Sequence, residues 1–509
     1  MDDIIDELSW RGLIAVSTDL DELRLALKSG RVTIYCGFDP TAPGLHIGNL
    51  VQLLTLRRLQ LAGHRPIGLV GGATGLIGDP SGKSAERVLN PAEVVAGWVE
   101  RIRGEVSRFL DFDAGESSAL IVSNLDWTGP MHVLDFLRDI GKHFSVNRML
   151  DRESVKARLE AGGISYTEFS YQLLQAMDFL ELYRRYDCVA QIGGSDQWGN
   201  LVAGVGLIRS VEGASAHALA TPLVTKPDGT KYGKTEGGAI WVSADLMSPY
   251  AFYQFWLNVS DAEVPNLLRV FSFKSREEID ELARQSTERP AARIGQRALA
   301  EELTTLVHGE EETRRAIAAS RALFGQGSLT DLDERTLAAV AAEVRAAEIP
   351  GDGGLPPVAN LMVAAGVAPT VSAARRAIAE GGAYLNNERV TDEKAVPRPE
   401  DLLHGRYLIL RRGKRTVGAV DVTSGGKLPY AAADFAVCVI GAGGRPSPAP
   451  AIRPRVRRHH PAARAAPPSG RACGAAIRPP PSGRAYGRPR DNRFRDQFVF
   501  PHERAAGGR

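Results

Sequence analysis

Two short segments of this 509-residue chain carry side chains suited to chemistry on phosphate groups. The first is His46-Ile47-Gly48-Asn49, which follows a strand-like run and opens an apolar helical pattern. The first turn of a helix has free N–H groups and the positive end of the helix dipole, so it attracts anions. The imidazole and the amide add donors, and Gly48 would let a nucleotide approach the backbone. Taken alone, His46 is more simply interpreted as a helix cap.

The second segment is Lys231-Tyr232-Gly233-Lys234-Thr235, in a turn-rich loop. Two ammonium groups and a hydroxyl suit a polyphosphate whose charge moves toward a leaving pyrophosphate. A solvated hairpin is the simpler interpretation of this loop by itself.

Two glycine-rich segments do not fit known phosphate loops. Residues 78–84 have three residues between their glycines where a P-loop has four, and residues 71–75 lack the dinucleotide-binding spacing.

The elements that must position these segments predict an α/β fold with a doubly wound parallel sheet. Strand-like runs alternate with helical patterns and lie at residues 32–38, 66–70, 119–123, 188–192 and 239–242. Such alternation favours parallel strands, whose carboxyl ends bind ligands. We predict a catalytic domain (1–247), a helical domain (248–325), a linker region (326–354), a small α+β domain (355–422) and a disordered basic tail (423–509).

Composition excludes several classes of protein. Hydrophobic residues make up 44% and charged residues 24% of the chain, as in ordinary globular proteins. No apolar run approaches the roughly 18 residues that span a bilayer, and the acidic N-terminus lacks a secretory signal, so we expect a cytoplasmic protein. The four cysteines form no C-x-x-C pair. We therefore expect reduced thiols and no metal site made by the protein.

The net charge of +2 is unevenly distributed along the chain. Residues 425–509 carry +12, which leaves −10 for the rest. Any nucleic-acid binding by the folded part must therefore use local basic patches.

Together, the two phosphate-suited segments resemble the H-I-G-H and K-M-S-K-S signatures of class I aminoacyl-tRNA synthetases. Over about residues 1–422 the chain resembles the bacterial tyrosyl-tRNA synthetase family, most clearly at residues 35–49, 70–87, 165–178 and 191–200. Asn49 replaces the second histidine, and Tyr232, Gly233 and Thr235 depart from the lysine signature. The resemblance implies a catalytic domain of class I type, a homodimer, and ATP-dependent loading of tyrosine onto tRNA, with Mg²⁺ on the ATP.

The family resemblance assigns eight residues to the tyrosine pocket. Such a pocket must satisfy a buried phenolic hydroxyl and a charged ammonium. Tyr35 and Asp178 are placed at the hydroxyl, where the carboxylate accepts its proton. The α-ammonium is assigned to Tyr171, Asp79 and Gln175, and the pocket lining to Thr74, Asn124 and Gln191.

The same resemblance assigns the ATP contacts and the catalytic groups. The ATP contacts are Gly37, Asp39, Thr41, His46, Gly48, Gly194, Asp196, Gln197, Leu223, Val224 and Lys234. The catalytic groups are His46, Asn49, Lys231, Lys234 and Thr235, joined by Lys83 and Arg87. For Lys83 and Arg87 a solvated loop is nearly as good an interpretation.

The small domain resembles the S-four-like RNA-binding domain of ribosomal and tRNA-handling proteins. Two short helices at 355–366 and 371–380 lead to a hairpin at 381–390 and further strands at 407–411 and 414–422. Arg375, Arg376 and Arg389 are candidate RNA contacts. Asn387 stands where the family usually has glycine, which fits a left-handed turn position. A charged face without an RNA role is the alternative.

Other functions remain open from the sequence. A tryptophanyl-tRNA synthetase shares the signatures but has no use for the Tyr35–Asp178 pair. A nucleotidyltransferase without RNA and an RNA-binding scaffold without catalysis are further alternatives. For the tail, the alternatives are an appendage without a role, a product of a shifted reading frame, and an electrostatic arm for tRNA.

Overall fold

A six-stranded sheet forms the centre of the first half of the chain in the computed structural model. Its strands are β1 (Val16–Ser17), β2 (Thr33–Phe38), β3 (Arg65–Val70), β4 (Leu120–Ser123), β5 (Cys188–Gly194) and β6 (His217–Thr221). Their order across the sheet is β1-β6-β5-β2-β3-β4. Strands β2 to β6 pair in parallel, and β1 pairs antiparallel with β6 at one edge. The predicted doubly wound parallel sheet is confirmed, with an antiparallel edge strand added.

The structure describes residues 3–80, 89–225, 239–351, 354–413 and 416–423, apart from the side chains of 153, 154 and 161. These residues belong to the first of two compact units, Met1–Ala442, and the second unit, Gly443–Arg509, lies outside the described residues. The tail predicted from residue 424 onward also lies outside them. So do five predicted site residues, Lys83, Arg87, Lys231, Lys234 and Thr235.

Helices connect the strands and cover the sheet. They are α1 (Ile4–Trp10), α2 (Leu20–Ser29), α3 (Ile47–Leu61), α4 (Thr74–Ile77), α5 (Ala92–Val106), α6 (Leu125–Thr128), α7 (Val133–Asp135), α8 (Val146–Leu150), α9 (Glu153–Ala161), α10 (Tyr166–Tyr186) and α11 (Trp198–Glu212). Most side chains of α3 are buried, which explains why leucine occurs on all of its faces. A π-helical turn, Phe136–Ile140, follows α7.

A helical region follows the sheet. It contains α12 (Pro249–Leu257), α13 (Val264–Phe271), α14 (Arg276–Glu288), α15 (Ile294–His308), α16 (Glu310–Leu323) and α17 (Glu334–Glu343). Trp256 is fully buried and packs edge-on against Phe252 and Phe271, with ring centroids 6.0 and 5.0 Å away. Within the described part of the chain, no helix combines the length and apolar character needed to cross a bilayer.

A five-stranded sheet occupies the C-terminal part. Its elements are β7 (Ala347–Pro350), α18 (Val358–Ala364), α19 (Val371–Ala379), β8 (Ala383–Leu385), β9 (Glu388–Arg389), β10 (Tyr407–Arg412) and β11 (Thr416–Thr423), with strand order β7-β11-β10-β8-β9. Asn386 and Asn387 join β8 to β9 with φ of 49° and 71°. Two left-handed residues are what a two-residue hairpin turn requires, so the turn expected at Asn387 is confirmed.

Strand β10 contributes to two cores. Tyr407 and Ile409 join the main hydrophobic core, which includes Leu323 and Leu337 of the helical region. Leu408 and Leu410 alternate with them and pack with α18 and α19. The C-terminal sheet is therefore buried on one side by its own helices and on the other by the helical region.

One strand predicted from the sequence was wrong, and β6 and β7 were missed, as was the edge strand β1. Residues 239–242 do not form a sheet strand; they make only an isolated antiparallel bridge, between His46 and Trp241. Strand β6 was missed because its sequence, His-Ala-Leu-Ala-Thr, is rich in alanine, a poor strand former, although all five residues are buried. Strand β7 was missed inside the region predicted to be a linker.

Candidate active site

The predicted pocket residues meet at the carboxyl edge of the parallel sheet. Asp39 follows β2, Thr74 and Asp79 follow β3, and Asn124 follows β4. Helix α10 crosses this edge and supplies Tyr171 and Asp178, both of which are buried. Parallel strands place their carboxyl ends side by side, which explains how residues far apart in sequence converge.

Asp178 on α10 is 1% exposed. Its Oδ2 accepts a hydrogen bond of 2.9 Å from Asn124 Nδ2, and its Oδ1 accepts one of 2.8 Å from Trp127 Nε1. Burial raises the pKa of this carboxyl to about 7, although both hydrogen bonds favour the charged form and oppose that shift. Trp127 was not identified from the sequence, because nothing in its neighbourhood marks it as a pocket residue.

Two buried side-chain oxygens on neighbouring strands have no hydrogen-bond partner among the described residues. They are Tyr35 Oη and Gln191 Oε1. Tyr35 and Gln191 are opposite one another on the paired strands β2 and β5. Native proteins pair nearly all buried polar atoms, so these two atoms on neighbouring strands are candidate contacts for a ligand.

A continuous chain of hydrogen bonds leads from Asp178 to the other end of the pocket. Asn124 Nδ2 also lies 2.9 Å from Thr74 Oγ1, which donates to Asp39 Oδ1 at 2.7 Å. Tyr171 Oη donates to Asp39 Oδ2 at 2.5 Å. Burial and the nearby Asp39 raise the pKa of Tyr171. Asp39, predicted as an ATP contact, thus lies among the residues predicted to bind tyrosine.

The hydrogen bond between Asp39 and Thr74 requires glycine at position 71. A Cβ atom at Gly71 would overlap both Asp39 Oδ1 and Thr74 Oγ1. The glycine-rich segment that failed to match a dinucleotide motif therefore makes room for the Asp39–Thr74 hydrogen bond.

A second group of polar residues surrounds Asp79. Gln197 Nε2 donates to Asp79 Oδ2 at 2.6 Å, and Asn200 Nδ2 donates to Gln197 Oε1 at 3.0 Å. Gln197 was predicted for the nucleotide and Asp79 for tyrosine, so this contact joins the two predicted subsites. Asn200 was not predicted. Gln175 lies on α10 one turn after Tyr171 and is half-buried.

His46 caps helix α3. Its Nδ1 accepts a hydrogen bond of 3.0 Å from Gly48 N, and Asn49 Oδ1 accepts one of 3.1 Å from His46 N. A Cβ on Gly48 would lie 2.8 Å from the imidazole, so the cap itself requires glycine. The interpretation of His46 as a helix cap is confirmed. Capping does not prevent His46 from also binding a phosphate. With Nδ1 accepting, a neutral ring carries its proton on Nε2.

The other predicted nucleotide contacts lie at the same edge of the sheet. Gly37 is an exposed position in β2, and Thr41 lies in the loop that follows that strand. Gly194 ends β5, and Asp196 lies in the turn Ser195–Gln197 just beyond it. Half-buried residues Leu223 and Val224 follow β6.

The three predicted RNA contacts are exposed arginines of the C-terminal part. Arg375 and Arg376 lie on α19, and Arg389 lies on β9. A Cβ at Gly381, just after α19, would be 3.5 Å from the Arg389 guanidinium carbon. None of the three has a carboxylate partner among the described residues, whereas Arg284, Arg315 and Arg398 are all paired.

Two protein-family models match most of the chain. The model "tRNA synthetases class I (W and Y)" matches residues 27–325, and the model "Tyrosine--tRNA ligase SYY-like C-terminal domain" matches residues 338–418. The chain therefore belongs to the class I tRNA synthetases of the tryptophan and tyrosine group.

Individual relatives narrow the assignment. A tyrosine–tRNA ligase of Streptomyces coelicolor is 63% identical over 428 residues, which are 83% of this chain and 100% of the relative. One from Mycobacterium tuberculosis is 56% identical over 422 residues, 82% of this chain and 98% of the relative. Within its group the chain thus falls among the tyrosine–tRNA ligases, as predicted from the sequence.

Solved structures agree as well. A C-terminally truncated mitochondrial tyrosyl-tRNA synthetase of Aspergillus nidulans superposes with a TM-score of 0.59 at 29% identity, over 64% of this chain and 95% of that chain. The tryptophanyl alternative fits neither the C-terminal family model nor the curated relatives.

Proposed function

We propose that this chain activates tyrosine with MgATP in the cytoplasm and transfers the tyrosyl group to the 3′-terminal adenosine of its tRNA. The observation that carries the residue-level proposal is the group of Tyr35 Oη, Gln191 Oε1 and the Asp178 carboxylate. A phenolic hydroxyl both donates and accepts, so it can bond to Asp178 and Tyr35 together. A phenylalanine ring would offer no partner to Tyr35 Oη and no proton to the Asp178 carboxylate, which is costly for buried polar atoms.

In the first step the tyrosine carboxylate attacks the α-phosphorus of ATP, and pyrophosphate leaves. The carboxylate is already a nucleophile at neutral pH, so no general base is needed. His46 Nε2 and the Asn49 amide donate to the phosphates at the N-terminus of α3, where negative charge develops in the transition state. Mg²⁺ arrives on the phosphates of ATP as part of the substrate.

The leaving pyrophosphate is assigned to residues outside the described part of the chain. The charge of pyrophosphate is stabilised by Lys231, Lys234 and Thr235, together with Lys83 and Arg87. This assignment is supported by the signature resemblance in the sequence and by the charge that departing pyrophosphate carries.

In the second step a hydroxyl of the terminal adenosine attacks the tyrosyl carbonyl, and AMP leaves. Arg375, Arg376 and Arg389 hold the tRNA backbone during this step. Their exposure and lack of carboxylate partners among the described residues support this role, because unpaired guanidinium groups bind phosphates without first breaking an ion pair.

ATP–pyrophosphate exchange with each of the twenty amino acids tests the activation step. We expect exchange with tyrosine alone. Exchange stimulated by tryptophan, and none by tyrosine, would overturn the proposal.

Replacing Arg375, Arg376 and Arg389 by alanine tests the transfer step. We expect the KM for tRNA in charging to rise about tenfold or more, with a shallower dependence on salt and unchanged adenylate formation. The matched control replaces the paired arginines Arg284, Arg315 and Arg398. Equal effects of both triple replacements would refute a specific role for the unpaired set.

We also propose a homodimer. Residues 125–150 expose large apolar side chains that a folded protein normally covers: Leu125, Val133, Leu134, Leu137, Val146 and Leu150. Light scattering at micromolar concentration should give about twice the 54.8 kDa of one chain. Leu134→Asp should halve that mass, whereas Leu61→Asp, at an exposed position on α3, should not. A monomeric wild-type protein would contradict the proposal.

A further inference from the structure

A buried carboxylate on α5 lies beneath the residues that lead into the α3 cap. Glu105 is 2% exposed, and its Oε2 accepts a hydrogen bond of 2.6 Å from Leu45 N. A Cβ on Gly44 would lie 3.0 Å from Glu105 Oε1 and 2.8 Å from Leu246 Cδ1. Glycine therefore lets the chain pass directly over the carboxylate. The next residue after this fixed segment is His46.

An arginine on the same helix joins this carboxylate to residues 243–245. Arg101 Nε lies 3.4 Å from Glu105 Oε1. Its Nη2 donates to Ser243 Oγ at 3.2 Å and also to the Asp245 carboxylate. Residues 243–245 follow, after a few residues, the segment that contains Lys231 and Lys234. The Arg101 guanidinium thus links α5 to residues 243–245, which follow the lysine signature in the sequence.

Backbone hydrogen bonds connect these two segments to each other. Ile47 N donates to Ile240 O at 3.0 Å, and Val242 N donates to Leu45 O at 2.9 Å. They form the isolated bridge between His46 and Trp241, which lies outside the main sheet. Each such bond contributes only about 1 kcal/mol net. Leu45, Ile47, Ile240 and Val242 are also buried in the main core, and Glu105 and Arg101 add the polar contacts that fix both sides of the bridge to α5.

We propose that Glu105, together with Arg101, is a positioning residue for adenylate formation. It holds the His46 segment and residues 240–245, which follow the lysine signature in the sequence, in one arrangement. This inference rests on the proposed roles of His46 and the signature lysines. The pocket residues Tyr35 and Asp178 lie on β2 and α10, so a change at Glu105 acts on the rate of activation and leaves tyrosine binding intact.

The first test is Glu105→Gln. Glutamine keeps an oxygen for Leu45 N but removes the charge that attracts Arg101. We expect the single-turnover rate constant of tyrosyl-adenylate formation to fall about 10- to 100-fold. The Kd for tyrosine should stay within about twofold, as expected for a change confined to transition-state positioning. The control is Glu100→Gln on the same helix, whose exposed carboxylate pairs with Arg103. It should change neither value.

A second variant, Arg101→Met, removes the link to Ser243 and Asp245 while keeping the Glu105–Leu45 bond. We expect it to slow adenylate formation in the same direction with tyrosine binding unchanged. A normal rate in both Glu105→Gln and Arg101→Met would overturn the inference.

A double-mutant cycle with His46→Ala separates positioning from a general loss of stability. If Glu105 acts through the His46 segment, Glu105→Gln should slow the His46→Ala enzyme by less than about threefold more. Full multiplication of the two effects, or a rate loss explained by the unfolded fraction at the assay temperature, would overturn the inference. A wild-type enzyme without tyrosine-dependent exchange would contradict the proposed function instead.

Discussion

The proposed phenol end and the proposed ammonium end of the tyrosine pocket differ in how many of their buried polar atoms already have partners. At the phenol end, Tyr35 Oη and Gln191 Oε1 have none among the described residues. At the ammonium end, both oxygens of Asp39 are bonded, to Thr74 and to Tyr171. The ammonium end is therefore preorganised, while the phenol end depends on a ligand hydroxyl. We expect the phenol end to determine selectivity for tyrosine and the ammonium end to determine the precise placement of the substrate.

The largest effect should come from Asp178→Ala, which removes the acceptor shared by Asn124, Trp127 and the ligand. The side-chain N–H groups of Asn124 and Trp127 and the ligand hydroxyl would then all lose their acceptor. We therefore expect kcat/KM for tyrosine to fall about 100- to 1,000-fold, roughly 3–4 kcal/mol. Preference over phenylalanine should collapse at the same time. ATP–pyrophosphate exchange with both amino acids measures this.

Asp126→Asn is the matched control, because Asp126 is exposed and lies beside Trp127. Retained preference over phenylalanine in Asp178→Ala would show that selectivity does not reside at the phenol end.

A smaller effect is expected at the ammonium end from Gly71→Ala. The new methyl group overlaps Asp39 Oδ1 and Thr74 Oγ1, so the Asp39–Thr74 bond must open. We expect kcat/KM for tyrosine to fall about tenfold or more, through misplacement of the substrate. Preference over phenylalanine should survive, because the phenol end is untouched. A drop in preference as large as in Asp178→Ala would erase the distinction between the two ends.

The smallest effect should follow Trp127→Phe, which deletes one hydrogen bond to Asp178. The pKa of Asp178 is raised to about 7 in the free enzyme, and its carboxylate form accepts the phenol proton. Tyrosine kcat/KM should therefore rise with pH through a midpoint near 7. Losing a donor that favours the charged form moves this midpoint upward in the variant.

The measurement is the pH dependence of kcat/KM for tyrosine, and Trp98→Phe on α5 is the control. An identical midpoint in Trp127→Phe and wild type would show that Trp127 does not influence the group whose titration controls kcat/KM.

The sequence indicated the contiguous parts of the site because their residues sit together in recognisable segments. His46, Gly48 and Asn49 lie within one helical turn, and the structure shows how they cap α3. Trp127, Asn200 and Glu105 were missed, since each reaches the site only through folding. Trp127 bonds to Asp178 across 51 residues of sequence, Asn200 Nδ2 lies 3.5 Å from Asp79 Oδ1 across 121, and Glu105 bonds to Leu45 across 60. No local pattern encodes such distances.

The sequence predicted a parallel sheet but not all of its strands. Strands β2 to β5 are rich in apolar and β-branched residues, but β6 owes its place to burial between β1 and β5. Alanine at 218 and 220 has little strand preference of its own, so the tertiary environment decides.

Strand β10, with alternate side chains in two cores, has a consequence for how the molecule comes apart. Tyr407 and Ile409 cannot leave the main core without moving Leu408 and Leu410 in the other. Local opening of one layer therefore exposes apolar surface of both. Hydrogen exchange of the β10 amides should be as slow as that of α15 and α16, and the helical region and C-terminal sheet should melt in a single cooperative transition.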